Sequence, residues 1–340
     1  MRNNGKYYPL TMRDLQRQIL FYLYDDYNYP IAKEIKNSDS NILIESIRLI
    51  NLLKDRQEQG AFLDVGANIG LYSMPFAAYG YKVYGFEGNS MNVEQLCESN
   101  EINGFDAEFI CKPVMDKSGP CRFTNGGPWG NLFDIYAYTS SNDIVETNGI
   151  SLDDWYVDSG RPKISAIKMD IEGSEVLALK GMKQLLEENN FPPIQTEFCI
   201  EYTAYNGIKQ NDFLNEFAKY GYRAYSVKHK DTLYIHDPKS ICSYSAIENY
   251  LMLSDHDPIL KNKNIVEYPV KSEKDFLDDA LNFIDARFLY GYAYTVLHTP
   301  ELLSQKEMVE KLVNRIIQED IFLNEKLSVL SLLDEIKSKL

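Results

Sequence analysis

Asp64-Val65-Gly66-Ala67-Asn68-Ile69-Gly70-Leu71-Tyr72-Ser73 is the stretch on which the reading of this chain turns. The apolar run 61–65 before it reads as a short strand. The run 71–79 after it reads as a small helix, with Pro75 tolerable only near the first turn. Small residues between a strand and a helix let the backbone approach a ligand closely, and the helix start presents unpaired N–H groups. A two-glycine turn is also met as a plain connection with no ligand. Two acids decide between these readings. Asp64 stands two residues before the first glycine, and Glu87 closes the next strand in Tyr84-Gly85-Phe86-Glu87, 23 residues further on. An acid at that strand end can hold two ribose hydroxyls. A dinucleotide site has Gly-x-Gly-x-x-Gly, whereas here Asn68 occupies the middle glycine position. A carboxylate beside a pyrophosphate is repulsive, and beside the ammonium of an amino-acid-bearing ligand it is attractive. The pattern points to S-adenosylmethionine rather than NAD.

Working outward, strands are expected at 82–86, 108–115, 164–169, 194–200, 222–227 and 250–253. Helices are expected at 92–103, 175–188 and 212–220. This alternation implies an α/β fold with a parallel sheet covered on both faces, whose ligands lie beyond the carboxyl ends of the strands. A second constellation follows the strand at 164–169: Ile167-Lys168-Met169-Asp170-Ile171-Glu172-Gly173-Ser174-Glu175. Asp170 falls at the carboxyl end of that strand and Glu172 in the turn. Two acids there can orient a hydroxyl, accept its proton or hold a divalent cation. Glu175 reads as favourable charge at a helix start.

The flanks read differently. Residues 1–59 are expected to be helical, with a cap at Thr11-Met12-Arg13-Asp14 and a helix running through Tyr24. A second helix begins near Ser40 and ends at Gly60. From 259 the strands are expected to stop, and 274–296 and 306–340 read as long amphipathic helices. They can serve as plain core, as a homodimer surface or as a cover over the acceptor crevice, and apolar stripes of this kind are usually core.

Composition bounds the partners. The 340 residues carry 50 acidic and 35 basic side chains, a formal charge of −15, with 44% hydrophobic residues. Residues 60–258 hold 28 of the acids and 15 of the bases. So acidic a chain disfavours nucleic acid and anionic membranes as partners, because phosphate contacts need a positive face. No apolar run reaches the length of a membrane span, and residues 1–10 lack a signal-peptide pattern. Five scattered cysteines, without a CxxC, read as reduced thiols of a cytoplasmic protein, and a zinc site is not expected.

Taken together, these segments resemble the FkbM family of S-adenosylmethionine-dependent methyltransferases. The matching text is 62–73, then Phe86-Glu87-Gly88-Asn89, where the family usually has proline after the acid. Leu152-Asp153-Asp154, the 167–177 segment, Leu179-Lys180-Gly181, Ile194-Gln195-Thr196-Glu197 and Gly221-Tyr222 follow in order. The resemblance covers about 60–258 and leaves 1–59 and 259–340 as helical extensions. It implies a class I methyltransferase (Rossmann-like) sheet, mostly parallel with an antiparallel last strand. It also implies methyl transfer, most often to a hydroxyl of a sugar or secondary metabolite, leaving S-adenosylhomocysteine. On this reading Gly66, Ala67 and Gly70 bring backbone close to the methionine part, Asp64 faces its ammonium and Glu87 binds the ribose. Asn68 holds either the turn or the ligand carboxylate. Val114 and Asp116 are adenine-side candidates, Asp116 being equally a turn acid. An aliphatic hydroxyl is a poor nucleophile, so a base beside it helps. Asp170 is the first choice and Glu172 the next. Glu197 and Glu201 can add a carboxylate, though for Glu201 a structural role weighs more. A divalent metal is conceivable with these oxygens but is not expected. Trp129, in the glycine-rich run 125–130, either stacks on an acceptor sugar or is a partly buried loop residue.

Overall fold

A computed structural model describes residues 5–12, 15–24, 35, 41–56, 60–124, 132, 144–229, 231–239, 246–283, 288–319 and 326–340. The first strands are β1 (Gly5–Met12) and β2 (Arg17–Tyr24). Helix α1 (Asn41–Leu53) leads into β3 (Ala61–Val65), α2 (Ser73–Ala78), β4 (Val83–Phe86), α3 (Ser90–Asn103) and β5 (Ala107–Ile110). Next come β6 (Gly119–Thr124), β7 (Ile144–Gly149), α4 (Leu152–Asp158), β8 (Ile164–Met169), α5 (Glu175–Lys180), α6 (Lys183–Glu188) and β9 (Ile194–Cys199). The chain continues with α7 (Ile200–Tyr205), α8 (Gln210–Lys219), β10 (Tyr222–His229), β11 (Thr232–Ile235), β12 (Ile247–Ser254) and β13 (Asn264–Glu267). It ends in α9 (Glu273–Asn282), α10 (Leu289–Leu297), α11 (Pro300–Leu303), α12 (Lys306–Gln318) and α13 (Lys326–Lys339).

The main sheet has the order β13-β11-β10-β12-β9-β8-β3-β4-β5. β5, β4, β3, β8 and β9 run parallel, and β12 is antiparallel to both β9 and β10. The seven strands from β5 to β10, with one reversed, are the class I methyltransferase sheet that the resemblance implies. β3 and β8 are buried at every position, as continuous apolar runs in a sheet covered on both faces should be. The sheet also grows past its expected edge. β11 pairs antiparallel with β10, and β13 pairs parallel with β11. The strands therefore do not stop at 259, and the C-terminal segment is not purely helical.

The expectation of a helix through 11–24 is overturned. β1 and β2 form an antiparallel hairpin. Tyr8, Leu10 and Met12 face inward from one strand, and Ile19, Phe21 and Leu23 from the other. That is a period of two, and it outweighs the capping-like Thr11-Met12-Arg13-Asp14. The free edge of β2 is covered by α3. The Leu20, Tyr22 and Tyr24 N–H groups donate to Asn103 Oδ1, Ser99 Oγ and Gln95 Oε1 at 2.9, 2.8 and 2.7 Å. Four helical residues rise about 6 Å and two strand residues about 6.8 Å, so side chains at i, i+4 and i+8 can follow every second strand residue. The hairpin's apolar face joins one core cluster with Ala67, Ile69 and Leu71 of the glycine turn.

At the other end, the span 274–296 is two helices, α9 and α10, with Phe283 extended after the first. The span 306–340 is likewise α12 and α13. Their apolar stripes are spent on the central core, where Val296, Leu312, Ile316 and Leu333 join Phe198 and Phe213. Gly291 permits the crossing of α10 on α7: a Cβ there would lie 2.5 Å from the Ile200 carbonyl oxygen.

Candidate cofactor and acceptor site

The glycine turn is held against two neighbouring strand ends. The Gly66 and Ala67 N–H groups both donate to the Phe86 carbonyl, at 2.9 and 3.0 Å. Gly66 has φ +82, and a Cβ on it would lie 1.9 Å from the Asp170 carbonyl oxygen. Only glycine lets these two loops touch. Asn68 follows in the left-handed region at φ +48, where asparagine is among the tolerated residues. Its N–H donates to Glu87 Oε2 at 2.8 Å, and the Asn89 N–H donates to Glu87 Oε1 at 2.7 Å. The acid ending β4 is thus aimed at the turn by backbone groups on both sides. Gly88, where the family usually has proline, makes room for Phe123 of β6: a Cβ there would lie 2.5 Å from that ring.

A buried lysine joins the two constellations. Lys168 Nζ lies 3.7 Å from Asp64 Oδ1 and 3.3 Å from Asp170 Oδ2, and donates to the Gly66 carbonyl at 2.9 Å. It also lies 5.4 Å from the centre of the Tyr72 ring. Burial works against its ammonium, but Asp170 and then Asp64 outweigh it, and the amine is held above its ordinary value. Asp64 is fully buried, and its Oδ2 accepts from Ser73 Oγ at 2.6 Å. Among the described residues its Oδ1 accepts no hydrogen bond. Burial raises the Asp64 carboxyl despite Lys168.

Beyond Asp170 the acids crowd together. Glu172 sits at φ +54, and its carboxyl is pushed up by burial and then by Asp170 and Glu175. Glu175 Oε1 accepts from the Ile171 and Gly173 N–H groups at 2.9 and 3.3 Å, closing its own turn as a helix-start acid does. Glu197 on β9 is raised by burial and then by Asp170 and Glu172. Glu201 is tied elsewhere, accepting from the Gly291 N–H and the Tyr205 hydroxyl at 2.8 and 2.7 Å. Glu45 of α1 reaches in from the opposite side, accepting from the Tyr72 hydroxyl at 3.2 Å and from Gln195 Nε2 at 3.4 Å. Among the described residues no group of three His, Cys, Asp or Glu side chains is arranged to hold a metal ion.

A pH dependence follows from these carboxyls. Burial pushes Glu87 and Glu175 from 4.5 up to about 7. A carboxyl with a higher pKa folded than unfolded binds its proton more tightly in the folded state, so its contribution is lost as pH rises between the two values. The melting temperature of the ligand-free protein is expected to fall between pH 5 and pH 8, and Glu87→Gln is expected to flatten part of that fall. A rising or level profile over that range would contradict the assignment.

The structure brings Asp64, Gly66, Ala67, Asn68, Gly70, Glu87, Asp170 and Glu172 to one edge of the sheet. The two remaining candidates make other contacts. Val114 is buried in the central core with Phe86, Leu152 and Trp155. The Asp116 main chain lies against Gly181, where a Cβ would come 2.9 Å from its Cα. Cys111, just past β5, stands beside Glu87, and its thiol is raised by burial and then by that charge. Trp129 lies outside the described residues. The reading from sequence passed over Lys168, Tyr72, Glu45 and Gln195. Lys168 had a signal, being a lone cation in the apolar run Ile164-Ser165-Ala166-Ile167-Lys168-Met169. Glu45 had none, since only the tertiary fold carries α1 to the strand ends.

Comparison with known proteins gives three findings. The family model described as the methyltransferase FkbM domain matches residues 64–224. Hexuronic acid methyltransferase AglP of Haloferax volcanii is 28% identical over 151 residues, which are 44% of this chain and 61% of the relative's own length. Among solved structures, magnesium protoporphyrin IX methyltransferase of Synechocystis PCC 6803 with bound SAM has 11% identity and a TM-score of 0.34, covering 66% of this chain and 84% of that one. An S-adenosylmethionine-dependent methyltransferase of Clostridium acetobutylicum has 9% identity and a TM-score of 0.30, covering 54% and 61%. At these scores the strand order, not the superposition, carries the fold.

Proposed function

We propose, from the match of residues 64–224 to the FkbM methyltransferase domain model, that the protein transfers a methyl group from S-adenosylmethionine to a hydroxyl of a sugar, glycan or small metabolite. The observation that carries the reading is the convergence of Asp64, Glu87 and Asp170 on one strand edge around a turn that only glycine can form. The residues present fit the cofactor. Asp64 keeps a buried oxygen that accepts no hydrogen bond among the described residues, which suits a ligand ammonium. Glu87 is fixed by two backbone N–H groups and retains lone pairs for ribose hydroxyls.

When bound, the cofactor supplies an electrophilic methyl on a sulfonium, and the oxygen–carbon bond forms as the sulfur–carbon bond breaks. The protein supplies alignment and proton transfer. Asp170, at the carboxyl end of β8, takes the acceptor's hydroxyl proton, with Glu172 as the second candidate. Lys168 holds Asp170 in place. The carbohydrate methyltransferase among the relatives supports a sugar acceptor, as does the acidic character of 60–258, which suits neutral or basic acceptors better than nucleic acid.

S-adenosylhomocysteine at a hundredfold excess over its Kd is expected to stabilise the protein by about 2.7 kcal/mol, or roughly 4 °C in a chain of this length, whereas NAD leaves the melting curve unchanged. No shift, or a shift with NAD instead, would sink the cofactor assignment. Asp170→Asn is expected to keep that stabilisation while lowering kcat about a hundredfold or more. Unchanged turnover would remove Asp170 as the base.

A further inference from the structure

β10 and β12 are paired over Tyr222–Tyr225 and then part, β10 staying paired with β11 and β12 with β9. The fork opens at the carboxyl edge of the parallel strands, beside Glu197, whose register partner on β12 is Asn249. It is bridged at its base by Ser226 Oγ donating to Glu248 Oε1 at 2.6 Å. α1 lies across it, with Arg48 Nη1 donating at 2.8 Å to the Val227 carbonyl. Between helix and fork is a cavity of about 240 Å³.

We propose that this cavity is the acceptor pocket and that it takes a single neutral polyhydroxylated ring; the proposal rests on the methyl-transfer reading above. Three observations carry it. The first is position. Glu45 and Gln195, on the inner wall, are hydrogen-bonded to Tyr72, whose ring faces the Lys168 ammonium between Asp64 and Asp170. From that wall Tyr72 and then Lys168 lead to Asp170, so two side chains separate the pocket from the proposed base. The second is lining. Glu45, Gln195, Asn249 and Ser226 offer acceptors and donors suited to hydroxyls, while Leu49 and Leu251 offer a flat apolar wall for ring C–H groups. The third is size and charge. The volume of about 240 Å³ is enough to seat one sugar-sized ring. Two carboxylates, Glu45 and Glu248, face one guanidinium that is already engaged with a backbone carbonyl. A carboxylate on the ligand meets net negative charge there, so the pocket selects against acidic sugars.

Ile247 lies at the pocket's rim and is 43% exposed, so Ile247→Trp narrows the entrance without disturbing the core. The probes are glucose, mannose and rhamnose against glucuronate, each followed by saturation-transfer NMR on the full chain with S-adenosylhomocysteine present. At least one neutral sugar is expected to give a signal several-fold stronger than glucuronate. Ile247→Trp is expected to abolish it while leaving the melting shift by S-adenosylhomocysteine intact. A neutral-sugar signal that survives Ile247→Trp, no signal from any neutral sugar, or a stronger one from glucuronate would overturn the proposal. Loss of the S-adenosylhomocysteine shift in the unaltered protein would instead overturn the methyl-transfer reading.

Discussion

Gly66→Ala is expected to lower the melting temperature by roughly 6 °C or more and to abolish binding of S-adenosylhomocysteine. The new methyl carbon would sit 1.9 Å from the Asp170 carbonyl oxygen, far inside any contact a Cβ makes. That oxygen belongs to backbone and cannot swing aside, because the Asp170 N–H is itself bonded to the Val65 carbonyl at 3.0 Å. The positive φ at Gly66 adds about 1 kcal/mol of left-handed strain. A clash of this kind belongs with the substitutions that cost 4 kcal/mol or more, and about 1.4 °C is lost per kcal/mol at this length. Relief requires the glycine turn to separate from the 170–173 loop, which breaks the meeting of Asp64 with Lys168 and Asp170. Gly104→Ala is the control. It shares the positive φ, at +65, but has nothing within 4 Å of the added carbon. It should cost only about 1 kcal/mol and leave ligand binding intact. Equal losses in the two variants would show that strain alone, rather than contact between the loops, makes Gly66 indispensable.

The same contact explains what could be read from residue order and what could not. Asp64, Glu87 and Asp170 each end a strand in a parallel sheet, so strand order alone puts them on one edge. Local pattern sufficed there because the alternation of strand and helix is a strong signal. It failed at the end of the expected strand 108–115, which stops at Ile110, while Val114 bridges Ile150. Strand ends are set by where pairing stops, which a single strand does not announce. It failed again at 5–24. A capping-like tetrapeptide drew attention from the alternation of Tyr8, Leu10 and Met12, and only α3's polar side chains make that hairpin edge tenable. Glu45 and Asn249 were beyond reach altogether. Each is an ordinary polar residue in its own element, and they meet because α1 crosses the fork between β10 and β12, with Asn249 Nδ2 donating to Glu45 Oε1 at 3.4 Å.

Lys168→Met is expected to be the second severe variant, and its defect should depend on pH. Among the described residues the ammonium is the one group that meets Asp64, Asp170 and the glycine turn together. Methionine fills the space but leaves Asp64, fully buried, without its counter-charge. Removing one partner of a buried pair typically costs about 3–5 kcal/mol, or roughly 4–7 °C in a chain of this length. Asp64 is already raised by burial with Lys168 present, and without it the carboxyl must rise further. Its folded pKa then lies well above its unfolded value, so the variant regains stability as pH falls and Asp64 takes up a proton, and loses it as pH rises. The gap in melting temperature between Lys168→Met and the unaltered protein should therefore be widest near pH 8 and narrow towards pH 5. Turnover should fall with Asp170 left unheld, by about a hundredfold if Asp170 is the base it positions. A gap that stayed constant across that range would mean that Lys168 acts through packing of its stem. In that case the charge network joining the two halves of the site would have no energetic weight.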